Sequence, residues 1–504
     1  MAGAAAVLSL LMFIARADVL ASDAANNGLQ SWDLLHGNLT LHGWILGDVT
    51  FYTFELPVIA LSEAVFGLGS LAVQVALALI YLAVAACAVA VAVTDSRGLS
   101  RAARAGVVIA VLTAPLLVVS DRWVPLGLPD HTGTTVFALV SVLLLDRARA
   151  WRFTPLLLCL ILCAGQLSDA TVQYIAVPAI VLVCLYQAWR SPGRRLRSAD
   201  AACLAGAVAS VPLFYAVRAV LRLFGGYQMR APDTLFTPVR NWPENLALTW
   251  HALRQLFGQV AGTGAPASSW ATAVFGACCM LAVAAGIARV LWRWRSASRA
   301  EQVLVLMIII NLGSFVVSAL PQPQSQHDIV IVLVGGAVLA ARALVPARID
   351  GRMIAATVCA ASAAAALVPL SLTAAHFAGH PSHARDRTLT AWLRAHNLTY
   401  GLGGYWEASV ISLDTGDQIE VRTVMANGPG ISQYPWEMDR SWYDPAKFYA
   451  NFILIGARDA GLSQAATRVF GPPVSTAEVQ NIKVLIYGKN LLTQVQPPPP
   501  RPLG

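Results

Sequence analysis

Acidic side chains at the ends of apolar segments are the residues of this chain best suited to chemistry. Asp23 follows the first apolar run, and Asp169 follows the fifth. Asp130 and His131 stand together at the start of the fourth run. If these side chains converge on one cavity, a carboxylate could act as a general base and a pair could hold a divalent cation. Helix capping is the alternative role for Asp130 and Asp169, because Asp accepts hydrogen bonds from backbone N–H groups at helix starts.

Two arginines near the end of the seventh apolar run have a spacing that suits phosphate binding. Arg218 and Arg222 are four residues apart, which places both on one face of a helix. Guanidinium groups bind phosphate oxygens in two-pronged geometry, so we expect the pair to hold the phosphate of a lipid. The alternative is that both side chains extend to the lipid headgroups as ordinary cations of the membrane edge.

Two further polar segments supply candidate substrate-binding residues. Asp33 and His36 belong to the first long loop. His327 lies in a stretch rich in amides, which runs from Gln322 to Asp328. Amide and imidazole groups suit hydroxyl-rich ligands because they both donate and accept hydrogen bonds. An ordinary polar loop has the same composition and is the alternative.

The segments that must position these residues are strongly apolar. The chain has 504 residues, of which 57% are hydrophobic and only 12% charged, and its mean hydropathy is +0.61. A soluble protein has roughly 25% charged residues, so this chain cannot cover a surface that faces water, and its solvent is the lipid bilayer. We predict a mainly α-helical, polytopic bundle of about 11 spans, at about 4–20, 69–94, 105–121, 131–146, 153–168, 171–189, 201–223, 270–291, 302–320, 328–345 and 353–376.

The arginines between the spans predict the orientation. Arg-rich loops alternate along the chain with loops that are long or poor in arginine, and Arg-rich loops remain in the cytoplasm. The N-terminus is therefore expected on the cytoplasmic side of the cell membrane, and the last domain outside. The Arg-rich loops contain Arg97, Arg101 and Arg104; Arg147, Arg149 and Arg152; Arg190, Arg194, Arg195 and Arg197; Arg293, Arg295 and Arg299; Arg342, Arg348 and Arg352.

Composition divides the chain into three regions. Residues 1–376 form the membrane domain, and its outer loop at 21–68 has aromatic residues, Trp44 and Phe51 among them, that favour short helices in the headgroup zone. Residues 377–490 combine short apolar runs with turn signals, which predicts a small extracytoplasmic α+β domain. The Pro-rich residues 491–504 are expected to be disordered.

The motifs of several other function classes do not occur in the sequence. It has no Gly-rich phosphate loop of the ATPase type, no zinc-binding HExxH motif and no soluble nucleotide-binding domain. The arginines form no single basic domain, which argues against nucleic acid as a partner. The eight cysteines all lie in apolar runs and are interpreted as small buried side chains, with no disulfide or metal site.

The first loop resembles that of the GT-C class of membrane glycosyltransferases. The similarity rests on a first membrane helix, on an acid at its outer end in Ser22 to Ala24, and on a long aromatic loop with the segment Leu34 to Asn38. More narrowly, the chain looks like bacterial members related to protein mannosyltransferases and lipid A aminoarabinose transferases. Its outer segment Tyr400 to Trp406 looks like that of actinobacterial members.

The resemblance implies a hexosyl or pentosyl transferase that takes its sugar from a polyprenyl-phosphate donor. The acceptor would be a glycan, a lipid or a protein of the cell envelope, on the outer side of the membrane. Asp23 would match the first-loop acid, which acts as a base or orients the acceptor, and Asp130 an acid of the second outer loop. Asp23 and Asp130 would be the ligands of any divalent cation, Mg²⁺ or Mn²⁺, that the protein binds. Recognisable members carry paired acids, whereas here Ala24 follows Asp23.

Two other function classes compete with a transferase. A transporter or flippase for lipid-linked sugars would carry charges at mid-membrane depth, and the predicted spans contain few. A non-catalytic membrane scaffold with an outer binding domain is the second alternative, which the missing second acid leaves open. Convergence of Asp23, Asp130 and Asp169 on one outward cavity, with Arg218 or Arg222 within reach, would favour the transferase.

Overall fold

The computed structural model of the chain describes residues 20–117, 130–147, 152–190, 198–229, 236–259, 269–319, 321–322, 325–348 and 384–499. The chain divides into two compact units. The helical unit comprises Met1–Ile14, Leu79–Val217 and Asp233–Phe377. The mixed unit comprises Ala15–Ala78, Arg218–Pro232 and Ala378–Gly504.

Helices make up most of the described residues, and strands are confined to the mixed unit. In chain order the helices are α1 Ser22–Leu35, α2 Glu55–Phe66, α3 Ser70–Val93, α4 Leu99–Thr113, α5 Thr134–Arg147, α6 Thr154–Ser168, α7 Val177–Arg190, α8 Ser198–Leu223, α9 Trp242–Leu256, α10 Ser269–Trp292, α11 Arg299–Val317, α12 Val330–Leu344, α13 Ala384–Ala395, α14 Tyr405–Asp414 and α15 Ala460–Phe470. The strands are β1 Trp44–Leu46, β2 Gln228–Met229, β3 Tyr400–Gly403, β4 Glu420–Asn427, β5 Gly430–Gln433, β6 Met438–Asp439, β7 Phe452–Ile455, β8 Ser475–Val479 and β9 Ile482–Ile486.

Apolar helices of spanning length confirm the predicted polytopic membrane bundle. Within the described ranges, seven helices are long and apolar enough to cross a membrane, and the shorter apolar helices Thr134–Asp146 and Thr154–Ser168 match two further predicted spans. The spans predicted at 4–20 and 353–376 lie outside the described residues. The seven are Ser70–Val93, Leu99–Leu116, Val172–Arg190, Ala199–Leu223, Thr272–Trp292, Arg299–Val317 and Ser325–Leu344.

Helix α12 forms the centre of the helical unit. It is buried continuously from Val330 to Arg342. Close packing of α12 on α10 depends on small residues: a Cβ at Gly336 would meet Val283, and one at Gly286 would meet the backbone of Leu339. Small residues at such crossings let membrane helices approach each other closely, because lipid gives helices no hydrophobic reason to associate.

Two arginines that the sequence assigns to cytoplasmic loops are buried in the helical unit. Arg342 donates to the backbone oxygen of Val91 at 2.6 Å, and Arg104 donates to that of Ala92 at 2.8 Å. These carbonyls belong to the last turn of α3, where no helical N–H is left to pair with them. Arg104 and Arg342 therefore stabilise a helix end, and they are not loop charges in contact with water.

A six-stranded sheet is the core of the C-terminal part of the mixed unit and confirms the predicted α+β domain. The strand order is β5-β4-β3-β7-β9-β8. The central strand β3 runs parallel to β4 and β7, and the outer strands are antiparallel to their neighbours. Leu402 of β3 lies between Arg422 and Ile453 in the register.

Both faces of this sheet are covered, as the alternation of side chains in β7 shows. Phe452 packs in a cluster with Leu393 of α13, whereas Ile453 packs in a second cluster with Leu462 of α15. Successive residues of a strand point to opposite faces, so one buried strand serves two cores.

A small three-stranded sheet joins three distant segments within the mixed unit. In the order β2-β1-β6, Ile45 pairs with Gln228, and Trp44 pairs with Asp439. The first loop therefore folds with the C-terminal region, across the boundary that composition placed at 376/377. Trp44 and Phe51, expected in the headgroup zone, are instead buried in this unit, at 1% and 2% exposure.

The first residues of the segment predicted to be disordered from residue 491 are ordered. Leu491–Gln494 forms a 3-10 turn in which Leu491 is buried. The N–H of Gln496 donates to the backbone oxygen of Ile431 at 2.9 Å. The run of prolines hides two leucines that complete the domain core, so composition underestimates the ordered length.

Candidate functional site

Asp23 lies in the first turn of α1, in the mixed unit. The positive end of the helix dipole favours the ionised form of a carboxyl group at this position. The helix is unusual because its buried face is polar and contains Ser22, Asn26, Asn27, Gln30 and Ser31. Burying so many polar groups costs free energy unless hydrogen bonds or a ligand compensate for the lost contact with water.

A tyrosine from the C-terminal region contacts Asp23. The hydroxyl of Tyr405, the first residue of α14, donates a hydrogen bond to Asp23. Its oxygen lies 3.0 Å from Oε2 of Glu437. Burial raises the pKa of Tyr405 well above its ordinary value, and the charges of Asp23 and Glu437 raise it further. The phenol therefore keeps its proton, and the three side chains form one hydrogen-bonded group.

A buried carboxyl group lies against the middle of α1. Glu63 of α2 is 1% exposed, and burial raises its pKa to about 9, so the group is neutral at pH 7. A Cβ at Gly28 would lie 3.5 Å from Oε1 of Glu63, which shows how closely α1 and α2 approach. Among the described residues, neither the Glu63 carboxyl nor the Asn27 amide has a hydrogen-bond partner. Buried polar atoms of this kind are few in native proteins, and they suit a polar ligand or water.

Arg218 and Arg222 both lie in the mixed unit. Burial raises the pKa of Tyr227, and the positive charges of both arginines oppose that rise. The Tyr227 hydroxyl lies 3.4 Å from Oγ1 of Thr50. Two guanidinium groups beside two hydroxyl groups could bind a phosphate, which remains a prediction.

Asp33 and His36 lie at the other end of α1, about 15 Å along the helix axis from Asp23. Asp33 accepts hydrogen bonds from Nε1 of Trp44 at 2.8 Å and from Nδ2 of Asn38 at 3.2 Å. His36 is exposed, and its Nδ1 lies 2.7 Å from the backbone oxygen of Trp32. The structure does not bring these two residues to Asp23, because ten residues of helix separate them, and both have local partners.

The helical unit contains a second cluster, which is centred on His131. Its Nδ1 lies 2.6 Å from Oδ2 of Asp169, and its Nε2 lies 3.3 Å from Oδ1 of Asp328. Burial by itself favours the neutral imidazole, but hydrogen bonds and charges of the two aspartates raise the pKa of His131 well above its ordinary value. We therefore treat His131 as an imidazolium held between two carboxylates.

His327 and Asp130 extend this cluster. The rings of His131 and His327 are stacked with centroids 6.1 Å apart. Nε2 of His327 lies 3.6 Å from Oδ1 of Asp328 and 3.9 Å from Oδ2 of Asp130. The structure thus brings together Asp130, His131, Asp169 and His327, four of the residues that the sequence singles out.

Asp169 directly follows α6, where it accepts a local backbone hydrogen bond and binds His131 as well. Its Oδ1 accepts from the N–H of Thr171 at 2.8 Å, while its Oδ2 accepts from Oγ1 of Thr134 at 2.8 Å and contacts His131. Asp23 belongs to the other compact unit, so convergence of all three acids remains a prediction.

A cavity opens beside the histidine cluster. His131, Asp328 and Asn311 line its polar end, and residues such as Met307 and Ile331 line its apolar part. The cavity could take a ligand with hydroxyl groups at one end and an apolar face at the other.

No three acidic, histidine or cysteine side chains of the described ranges come together in a way that would hold a metal ion. The divalent cation that the resemblance implies at Asp23 and Asp130 accordingly remains a prediction, and we derive no chemical step through it.

Four residues of these clusters escaped the sequence reasoning. Asp328 directly follows His327, so the polar stretch that ends there contained its signal. Tyr405 lies in the Gly-rich segment Tyr400 to Trp406, which resembles the corresponding segment of other proteins but has no recognisable pattern of catalytic side chains. Glu63 and Glu437 gave no signal, because an acid in a loop or a short helix is ordinary.

Comparison with known proteins places the fold. No protein-family model and no curated protein matches the chain. Two crystal structures of ArnT from Cupriavidus metallidurans match it, in the apo state with a TM-score of 0.55 and bound to undecaprenyl phosphate with a TM-score of 0.54. Each match covers 98% of both chains at 16% sequence identity. ArnT is an aminoarabinose transferase of the GT-C class, so this multi-pass membrane protein has the GT-C fold that the sequence resemblance predicts.

Proposed function

We propose that the chain is a membrane glycosyltransferase that moves a sugar from a polyprenyl-phosphate donor to a cell-envelope acceptor on the outer side of the membrane. The observation that carries the proposal is Asp23, which stands at the positive end of α1 and accepts a hydrogen bond from Tyr405 in a chain with the fold of ArnT. The ArnT structure with bound undecaprenyl phosphate supports a lipid-phosphate donor.

Asp23 is the general base of the proposed reaction. The acceptor hydroxyl loses its proton to the Asp23 carboxylate while its oxygen forms a bond to the anomeric carbon of the sugar. The bond between that carbon and the phosphate oxygen breaks, and its electron pair leaves with the polyprenyl phosphate. A carboxylate suits this role when it is ionised before the reaction and within hydrogen-bond reach of the acceptor.

Arg218 and Arg222 stabilise the leaving phosphate in this proposal. Negative charge grows on the phosphate oxygens as the sugar departs, and paired guanidinium groups bind such oxygens strongly. The positive charges of both arginines lower the pKa of Tyr227, against the rise that burial causes.

The experiment that tests this proposal compares lipid extracts and envelope glycans from cells with and without the protein. We expect cells that lack it to accumulate a polyprenyl-phosphate sugar and to make a glycan short of one residue, both detected by mass spectrometry. Wild-type protein should restore the glycan. The variant Asp23→Asn, made to the same level, should restore it at least about 100-fold more slowly, because general-base catalysis contributes about 10²- to 10⁴-fold.

Asp444→Asn is the matched control, because Asp444 is a partly exposed acid of the same unit that accepts from the N–H of Ala446. It should restore the glycan like the wild type. Full activity of Asp23→Asn would show that Asp23 is not the base. Accumulation of the lipid-linked sugar only on the cytoplasmic side would favour a flippase, and unchanged lipids and glycans would favour a scaffold.

A further inference from the structure

The C-terminal region of the chain contributes directly to the surroundings of the proposed base. Tyr405 follows Asp23 by 382 positions in the sequence, yet its hydroxyl donates a hydrogen bond to the Asp23 carboxylate. Resting on the proposed function, we infer that Tyr405 is a positioning residue for the general base. The outer domain is then part of the catalytic apparatus.

The single hydrogen of the Tyr405 hydroxyl limits the hydrogen bonds among Asp23, Tyr405 and Glu437. A phenol has one hydrogen, so Tyr405 can donate to only one of its two neighbouring carboxyl groups at a time. When the donation goes to Asp23, Glu437 faces the same phenol oxygen at 3.0 Å. The donated hydrogen bond stabilises the ionised form of Asp23, which is the form that a base requires.

The backbone around Tyr405 fixes the position of its hydroxyl. Strand β3 ends at Gly403, and Gly404 precedes α14 in an extended conformation. A Cβ at Gly404 would collide with the carboxyl group of Asp459, so the turn needs a glycine to bring the strand and the helix together. Tyr405 is 6% exposed, and the centroid of its ring lies 4.8 Å from that of the Tyr434 ring. A rigid donor of this kind keeps a carboxylate in one orientation.

Glu437 shows backbone strain at the same place. Its φ is 46°, in the left-handed region that a glutamate seldom adopts, and its side chain is 2% exposed. Strained residues persist where the surrounding structure holds them, and they are common at functional sites. The side chains that face the Tyr405 hydroxyl are Asp23 and Asn26 of α1 and Glu437, and the two acids are its charged neighbours among them.

The test uses the full chain in lipid nanodiscs, with the lipid-linked sugar from the deletion cells as donor and their envelope as acceptor. Tyr405→Phe should lower kcat about 10- to 100-fold and leave both KM values within about twofold, because a hydrogen bond to the charged base is lost. The acidic limb of the kcat/KM profile should move up by about one pH unit, since hydrogen bonding to a carboxylate favours its ionised form.

Tyr443→Phe is the matched control. Tyr443 is as buried as Tyr405 and lies in the same domain, and its hydroxyl donates to the backbone oxygen of Thr423 at 2.5 Å. Loss of the Tyr443 hydroxyl should lower the stability of the protein without moving the acidic limb of the kcat/KM profile. If Tyr405→Phe and Tyr443→Phe give the same kcat and the same acidic limb, the inference is wrong, although the proposed function stands. A wild-type protein that transfers no sugar overturns the proposed function itself.

A second variant covers the case in which Tyr405→Phe does not fold. Incorporation of 2,3,5-trifluorotyrosine at position 405 keeps the ring and the hydroxyl but makes the phenol a stronger donor. The acidic limb should then move to lower pH, opposite to the shift for Tyr405→Phe. An unchanged limb in the fluorinated protein contradicts the inference.

Discussion

His131 combines an unusual backbone conformation with a strong electrostatic environment. Its φ is 52°, in the left-handed region, and its ring bridges Asp169 and Asp328. The backbone strain places both ring nitrogens between the two carboxylates, so one residue links the turn before α5 to the ends of two other apolar segments. Loss of the imidazolium would leave its buried partner Asp169 without a compensating charge, so we expect it to destabilise the helical unit.

The stability that His131 provides should depend on pH. The pKa of His131 is raised in the folded protein, so its contribution is fully present below about pH 6.5 and is lost as the pH rises through the folded value. His131→Asn removes the charge but keeps a residue that tolerates the left-handed backbone. We expect it to lower the free energy of unfolding by about 3 kcal/mol at pH 6 and by clearly less at pH 9.

Thermal unfolding in detergent at the two pH values measures this effect. His396→Asn is the control, because His396 is exposed directly after α13 and its Nδ1 lies 2.8 Å from the backbone oxygen of Trp392. If His131→Asn lowers the free energy of unfolding equally at pH 6 and pH 9, His131 stabilises the protein through packing and not through its charge.

Single site residues were predictable where an acidic or histidine side chain lies at the end of an apolar run. Asp130, His131 and Asp169 were identified from their places beside apolar runs, and the structure joins them within the helical unit. Tyr405 and Glu437 were not predictable, because the contact of Tyr405 with Asp23 depends on how a segment almost 400 residues away folds back, and Glu437 contacts Tyr405. Asp33 and His36 shared a loop with Asp23, but a straight helix separates residues that the sequence places close together.

Helix α1 shows at the scale of an element how a polar sequence becomes a buried helix. The sequence predicted short helices in the loop at 21–68, and α1 and α2 confirm them. The expected position in the headgroup zone fits less well, because Asn26 and Asn27 are fully buried. A glycine in the middle of α1 makes the burial possible by letting neighbouring side chains reach the helix backbone.

Gly28 should therefore resist substitution although it lies inside a helix. A Cβ there would lie 2.8 Å from Cδ1 of Leu413 and 2.9 Å from Cγ2 of Val73. Alanine gains about 1 kcal/mol in helix propensity over glycine, but overpacking costs about 1 to 3 kcal/mol. We expect Gly28→Ala to lower the free energy of unfolding by about 1 kcal/mol and Gly28→Val by more, as measured by thermal unfolding in detergent.

Gly461→Ala is the control for this helix effect. Gly461 lies at the start of α15 in the same unit, and a Cβ there would meet only Ala426 at 3.9 Å. It should leave the midpoint of unfolding unchanged or raise it. A Gly28→Ala protein at least as stable as the wild type would mean that Val73 and Leu413 move aside at little cost.

At the scale of the whole molecule, local patterns predicted the membrane spans and missed the division into units. Long apolar runs identify spans without reference to the rest of the chain, because each span satisfies its own backbone in lipid. The sheet β2-β1-β6 instead joins residues 45, 228 and 438, and no local pattern marks such pairing. The C-terminal sheet was predictable as a class but not in its strand order.

The orientation of the chain rests on fewer arginines than the sequence suggests. Arg104 and Arg342 are buried against the end of α3, where they donate hydrogen bonds to free backbone carbonyls. Their placement is therefore explained without the positive-inside rule. Arg97, Arg293 and Arg295 are exposed between helices and remain free to follow the positive-inside rule. They still predict that the turn between α10 and α11 is cytoplasmic and that the C-terminal domain is outside.

Cysteine labelling of intact cells tests this orientation. Ser296 is exposed in the turn between α10 and α11, and Thr467 is exposed on α15. A membrane-impermeant maleimide should label Thr467→Cys in intact cells and Ser296→Cys only after permeabilisation, with the wild type as the measure of background. Labelling of Ser296→Cys alone in intact cells would reverse the orientation. The donor would then have to be used on the cytoplasmic side, since the α14 residue that contacts Asp23 belongs to the same domain as Thr467.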